Sequence, residues 1–368
     1  MTKTRTLLVT VDSLRRDHLR YMPNTYAALD HWHDRAIATS TATLGSFPGI
    51  ISGVYPGEPE VNPDQTVTNA FNCHCLGITT NHLLSERYGY NAGFDQFTSP
   101  HSAQSLKDDL GRQLTIGSKA YKLASTGYAL FQGLRERISG VKKSFRPAED
   151  VIEEFYNDIT RDDEWFAWLH FMEPHYPYDP NGAEMKRSQA QSLTRRVLAN
   201  NGTPTEEEQV RSLYRQEVEE LDDQLSSLWS WIPDDTRVVF CADHGEMLGE
   251  ADLWGHPGEV RPELLHIPFG TRNVPDMGNV VSHVDVPSLL IGEEWGEGMF
   301  DREIAYASYG GAKAAVNGTH IASEETTMTL DGEPDSAPNL ERALSSFNPE
   351  SVVKEDAVKE DLEALGYI

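Results

Sequence analysis

The sequence predicts an α/β fold: a mostly parallel central sheet with helices on both faces, followed by a small C-terminal antiparallel subdomain. Three observations carry this prediction. Short apolar segments rich in β-branched or aromatic residues run into polar residues at 6–10, 76–80, 165–171 and 237–241. Helix-forming stretches lie between them at 23–35, 148–160 and 206–231. Beyond Glu303 the texture changes to closely spaced strand candidates with Gly turns. Strands alternating with helices form a parallel sheet covered on both sides. A chain of 368 residues can hold one large unit and one small one, expected at 1–300 and 301–368.

The elements follow in order. The first segment reads as a buried strand whose carboxyl end carries Asp12. The second, 76–80, leads to Asn81, the third to the run Met172 to Tyr178, and the fourth to Asp243-His244-Gly245-Glu246. Between the second and third, residues 102–146 are helix-prone and locally basic, with Arg112, Lys119, Lys122, Arg135, Arg137, Lys142, Lys143 and Arg146. This stretch reads either as a solvated helical excursion or as a cap that holds an anionic substrate. The C-terminal strand candidates are 304–308, 312–316, 320–322 and 327–330, and a last helix is expected at about 352–365 before Gly366.

Charge and composition exclude several classes of function. The chain holds 58 acidic against 31 basic residues, a net charge of -27. Such a surface repels nucleic acid and anionic membranes. It reads as a surface adapted to high salt, where self-repulsion is screened, or as an acidic face for a basic partner. Three cysteines, Cys73, Cys75 and Cys241, argue against a disulfide framework. Cys73-His74-Cys75 is too tight for a structural zinc site and reads as a loop entering a strand. No apolar run approaches the roughly 18–20 residues of a membrane span. The apolar stretch Leu7 to Val11 is too short for a secretory signal, so a cytoplasmic protein is expected.

The chemistry-bearing residues cluster at strand ends, where open α/β sheets bind ligands. Asp12 stands at the end of one strand and Asp243 with His244 at the end of another. These three converge on a divalent cation if the two strands are neighbours. The run Thr43 to Gly53 reads as a loop delivering Thr43 to a helix N-terminus, with Pro48 opening the apolar run. Free N–H groups there favour an anion, and a hydroxyl beside a dication becomes a nucleophile. His175 and His256 each stand where an imidazole could contact an oxyanion or protonate a leaving group.

Taken in order, these segments resemble the sulfatase family of the alkaline phosphatase superfamily, most of all its haloarchaeal sulfatase-like members. Val9 to Asp17 is similar to the family's opening metal strand. Thr43 to Gly53 resembles C/S/T-x-P-S-R-x-x-x-x-T-G, with Thr43, Ser46 and Ser52-Gly53 in register. Gly93-Phe94-Asp95-Gln96-Phe97 is similar to GFDxF, and His170 to Tyr178 to H-x-x-x-P-H-x-P-Y. Ala242 to Glu246, Val281 to Asp285 and the closing Leu365-Gly366-Tyr367 complete the series.

The resemblance implies an alkaline-phosphatase-like fold and one divalent metal ion (Ca, Mg, Mn or Zn) on Asp12, Thr43, Asp243 and His244. It further implies Thr43 as nucleophile and His175 and His256 on the substrate. The substrate class it implies is an anionic small-molecule, glycan or lipid ester of sulfate or phosphate, cleaved or transferred. Asn81 falls near the family's substrate-binding Lys/Asn region.

Three positions depart from the pattern. Thr43 stands where a Cys would mature to formylglycine, Ser13 where the family has a second Asp, and Phe47 where an Arg follows Ser46. Thr or Ser at the nucleophile position usually accompanies phosphate esters. Two other readings stay open. One is a two-metal phosphodiesterase recruiting Glu173, His175 and His283. The other is a degenerate fold that binds a glycan or partner without turnover.

Overall fold

The computed structural model describes residues 4–56, 61–100 and 143–348. In chain order its strands are β1 (Arg5–Val11), β2 (His31–Trp32), β3 (Ala36–Ile37), β4 (His74–Ile78), β5 (Gln96–Thr98), β6 (Trp165–Phe171), β7 (Arg237–Ala242), β8 (Met247–Leu248), β9 (Trp254–Gly255), β10 (Phe269–Arg272) and β11 (Val281–Ser282). A C-terminal set follows: β12 (Ala305–Tyr309), β13 (Ala312–Val316), β14 (His320–Ser323) and β15 (Thr327–Thr329).

The central sheet has seven strands in the order β2-β10-β7-β1-β6-β4-β5. Strands β7, β1, β6, β4 and β5 run parallel, while β10 and β2 add an antiparallel edge. β1 sits in the middle, buried from Thr6 to Val11, as a strand covered on both faces must be. Its neighbour β6 is buried throughout. β12 to β15 form a separate antiparallel meander. The fold is alkaline-phosphatase-like, with the antiparallel sheet at its C-terminal side.

The helices form for local reasons. The helix Pro204–Trp231 opens on Thr203, whose side chain accepts from the Glu206 N–H while Glu206 reaches back, and Pro204 fills the first turn. Its stripe Val210, Leu213, Tyr214, Val218, Leu221, Leu225 and Leu228 is buried at helical spacing. It stops at Ile232, which precedes Pro233 and is extended.

Some expectations change. The stretch 23–35 is not one helix. The helix Pro23–Ala28 ends at the extended Leu29, and His31–Trp32 pairs with Gly270 and Thr271 at the sheet edge. Trp32 stacks on Tyr26 with rings 5.4 Å apart and meets Phe240 edge-on, so sheet packing overrides helical propensity. The strand expected at 76–80 begins at His74 and ends at Ile78. The run read as a loop delivering Thr43 to a helix N-terminus is itself the helix, and Thr43 is its first residue. That helix, Thr43–Ser52, contains Pro48 in its interior and ends at Gly53, whose φ of 67° suits a left-handed cap. A helix not foreseen in the sequence, Pro338–Ser346, covers the C-terminal sheet through Leu340 and Leu344. The expected helix at 352–365 lies outside the described residues, as does 102–142 of the basic stretch.

Candidate active site

β1 and β7 are neighbours in parallel register, with Val11 opposite Ala242. The next residue on each strand is therefore a carboxylate beside a carboxylate, Asp12 and Asp243. The Asp243 N–H donates to the Val11 carbonyl at 3.2 Å, which closes the ladder at that point. This pairing is what the sequence alone could not supply.

Asp12, Asp243 and His244 are fully buried, and one donor atom from each lies within 4.8 Å of the others. His244 Nδ1 donates to the Gly245 carbonyl at 2.8 Å, which leaves Nε2 with its lone pair. That Nε2 lies 3.6 Å from Asp243 Oδ2 and 3.9 Å from Asp12 Oδ1. Neither it nor Asp243 Oδ2 has a hydrogen-bond partner. Gly245 is required by close approach, because a Cβ there would sit 1.9 Å from the Glu263 carbonyl oxygen.

The electrostatics point the same way. Burial and the neighbouring Asp12 push Asp243 up to about 8. Burial also pushes Asp12 up, but the imidazoles of His175, His170 and His244 outweigh it and leave Asp12 the ionised member. Burial lowers His244 to about 4, so it is neutral at pH 7. Two desolvated carboxylates and a neutral imidazole, with Asp243 Oδ2 and His244 Nε2 unpartnered, suit a divalent cation with mixed O and N ligands.

Thr43 is the first residue of its helix, and its hydroxyl donates towards Asp12 Oδ2 at 3.5 Å. The N-cap, Ala42, provides no side-chain cap for that helix end. Ser13 has a φ of 58°, and its N–H donates to Asp243 Oδ1 while its hydroxyl donates to Asp12 Oδ1. The residue at the family's second Asp position thus bridges the two carboxylates. Asn81 Nδ2 donates to Asp12 Oδ2 at 2.8 Å, so it belongs to the cluster.

His175 and His256 both arrive. Their ring centroids lie 5.3 Å apart, and His256 lies 4.8 Å from His244. His175 Nδ1 donates to the Tyr176 carbonyl at 2.7 Å. Burial lowers its pKa to about 4 despite the nearby Asp12. His256 differs. Burial opposes its cation, but Glu246, fully buried with Oε2 3.8 Å from His256 Nδ1, raises its pKa above the ordinary value.

Sequence reasoning missed two site residues. One is Glu246, visible only as the last letter of Asp-His-Gly-Glu. The other is His170, fully buried with Nε2 3.6 Å from Asp12 Oδ2 and Nδ1 3.0 Å from Thr10 Oγ1. Its signal was the opening His of the motif ending at Tyr178. Phe47 is buried among Trp168, His170 and Tyr90, so an apolar ring fills the position of the family's Arg.

Of the three candidates for a second metal, His175 reaches the site, while Glu173 and His283 are engaged elsewhere. Glu173 pairs with Lys143 at 3.1 Å. His283 accepts from the Thr39 N–H and donates to the Ala242 carbonyl, a structural pairing. Cys73, Cys75 and Cys241 are free thiols, the latter two buried and Cys73 half-buried. Of the basic residues expected near a substrate, Lys143 and Arg146 are engaged with Glu173 and Glu154, and the other six lie outside the described residues. Among the described residues no helix is long and apolar enough to cross a membrane.

The strand order and the carboxylate pair at the sheet's centre define an alkaline-phosphatase-like enzyme scaffold. The chain belongs to the Sulfatase family, which matches residues 5–270. A curated relative, the low-salt glycan biosynthesis sulfotransferase Agl7 of Haloferax volcanii, is 38% identical over 89 residues. That match covers 21% of this chain and 22% of the relative, about a fifth of the relative's length. The phosphonate monoester hydrolase SpPMH from Silicibacter pomeroyi superposes with a TM-score of 0.59 at 14% identity, covering 98% of this chain and 96% of that one. The C-terminal periplasmic domain of EcEptC from Escherichia coli, solved in complex with Zn, superposes with a TM-score of 0.56 at 12% identity over 91% and 94%. At such identities the two structures establish the fold.

Proposed function

We propose that this protein is a metal-dependent hydrolase or transferase of phosphate or sulfate esters, with Thr43 as its nucleophile. The observation that carries the reading is the buried cluster of Asp12, Asp243 and His244 with the Thr43 hydroxyl 3.5 Å from Asp12. Asp12, Asp243 and His244, joined by Thr43, would hold one divalent cation. When bound, that cation supplies Lewis-acid stabilisation of the ester oxygens and lowers the pKa of a hydroxyl beside it.

The residues of the chain do the rest. Thr43 Oγ1, at the open end of its helix, gives up its proton to solvent and attacks the phosphorus or sulfur as the alkoxide, and the bond to the ester's leaving oxygen breaks. The helix N-terminus favours the negative charge of the transferred group. His256, whose cation Glu246 favours, gives a proton to the leaving oxygen, a role worth about 10²–10⁴-fold. His175, neutral, positions the transferred group. Water, giving a proton to the now neutral His256, then attacks the phosphorus or sulfur, the bond to Thr43 Oγ1 breaks, and the Thr43 oxygen takes a proton back from solvent.

An ordinary hydroxyl at position 43 favours phosphorus over sulfur, because it cannot expel sulfate by collapsing to an aldehyde. A second reading, transfer to a glycan hydroxyl in place of water, draws on the stretch shared with Agl7. The test is wild type and Thr43→Ala on aryl phosphate monoesters, diesters, phosphonates and sulfates, with and without a sugar acceptor. Wild-type turnover of one ester class and loss in Thr43→Ala are expected. Full activity in the variant removes Thr43 from the mechanism.

A further inference from the structure

Away from the carboxylate cluster, a second set of buried charges surrounds Lys143. Its ammonium, with the side chain only 7% exposed, lies 3.1 Å from Glu173, 3.4 Å from Glu217 and 4.0 Å from Glu220. Those acids come from different elements: Glu173 follows β6, and Glu217 and Glu220 lie on the long helix. Each is also committed to the loop that carries His175 or to its neighbour. Glu217 Oε1 accepts from the Asp179 N–H at 2.7 Å, and Glu173 Oε1 accepts from the Ala148 N–H at 3.2 Å. The next residue, Ser144, donates to Asp179 Oδ2 through both its N–H and its hydroxyl at 3.1 Å. The one after that, Phe145, sets its ring edge-on to the His175 ring, centroids 5.6 Å apart.

We propose that Lys143 is a positioning residue for His175, fastening residues 143–145 to the loop 173–179 so that Phe145 holds the imidazole against the active site. A buried ammonium bridging carboxylates from two elements is a costly arrangement unless its partners stay in place. Here one partner, Glu173, opens the loop bearing His175, and another, Glu217 of the long helix, accepts from the Asp179 N–H at the loop's other end. Lys143 itself makes no contact with the carboxylate cluster, so its effect runs through the loop and the ring. This inference rests on the reading of His175 as a group that positions substrate.

The test uses the full chain with ¹⁵N-labelled histidine, comparing wild type, Lys143→Met, Lys143→Arg and Phe145→Leu. The His175 ring resonances are assigned by their loss in His175→Gln, and those of His283, which packs elsewhere, serve as an internal reference. In Lys143→Met and Phe145→Leu the His175 resonances should shift while those of His283 stay, and Lys143→Arg should restore the wild-type position. On the best ester of the panel, kcat should fall on the order of 10–100-fold in Lys143→Met, with KM little changed and recovery in Lys143→Arg.

A lowered unfolding midpoint with unmoved His175 resonances and unchanged kcat would make Lys143 a stabilising residue only and overturn the proposal. If Lys143→Met does not fold, Phe145→Leu decides, since it leaves the charges intact. If the wild type turns over no ester, the catalytic reading fails on that result, and the His175 resonances still decide whether Lys143 places the ring.

Discussion

At the scale of single residues, the site separates two kinds of histidine. His244 and His175 are neutral because burial removes the water that would solvate their cations. The His256 pKa is raised, because Glu246 faces it and favours its cation. The proposed general acid is therefore the one whose environment favours the charged form. His256→Gln is expected to lower kcat by about 10²–10⁴-fold for esters with poor leaving groups. For a nitrophenyl ester, whose leaving oxygen needs no proton, the loss should be much smaller. A series of leaving groups measures this, and equal losses across the series would reassign the acid. Ser13 shows what a substitution within a family pattern can do. It contributes no carboxylate, yet its N–H and hydroxyl tie Asp12 to Asp243.

At the scale of elements, burial between the long helix and the His175 loop displaces the titration of one carboxyl, Glu217. Glu217 is pushed up to about 8, by burial first, with Glu173 and Asp179 adding to the rise and Lys143 opposing it. Lys143, Glu173, Asp179 and Glu220 are the charged groups around it. Its ordinary value is 4.5, so the folded state binds this proton more tightly than the unfolded chain. The associated stability is fully present below about pH 4.5 and is lost as pH rises through about 8. Glu217→Gln retains the acceptor for the Asp179 N–H and carries no charge. Urea unfolding midpoints of wild type should fall between pH 6 and pH 9, and those of Glu217→Gln should fall less.

Elements also show what was legible in the sequence. β6 and the four C-terminal strands could be read because their apolar patterning and turns are local. Asp12, Thr43, Asp243 and His244 could be read because the motif order resembles a known family. The adjacency of β1 and β7 could not, since register between distant segments leaves no local mark. His31–Trp32 misled because an edge strand of two residues has no periodicity. Glu246 and the Lys143 network were hidden because a buried charge looks like any other until its partners are placed.

At the scale of the whole molecule, a net charge of -27 works against compaction. Salt screens that repulsion over a Debye length of about 8 Å at 0.15 M and about 3 Å at 1 M. The unfolding temperature is therefore expected to rise steeply with KCl before levelling off, measured by circular dichroism. A flat response would argue that the acidic residues form a face for a basic partner instead.

On the proposed reading, the same surface admits an anionic ester to a centre that already holds two carboxylates. That is possible only if a cation reverses the local sign, and this makes metal binding the central claim. The direct measurement is metal content after equilibration with Zn²⁺ or Mn²⁺ and removal of excess, for wild type, Asp12→Asn, Asp243→Asn and His244→Ala. The account predicts one equivalent on the wild type and its loss, or a large drop in affinity, in each variant. Two equivalents, or one equivalent retained in all three variants, would contradict it.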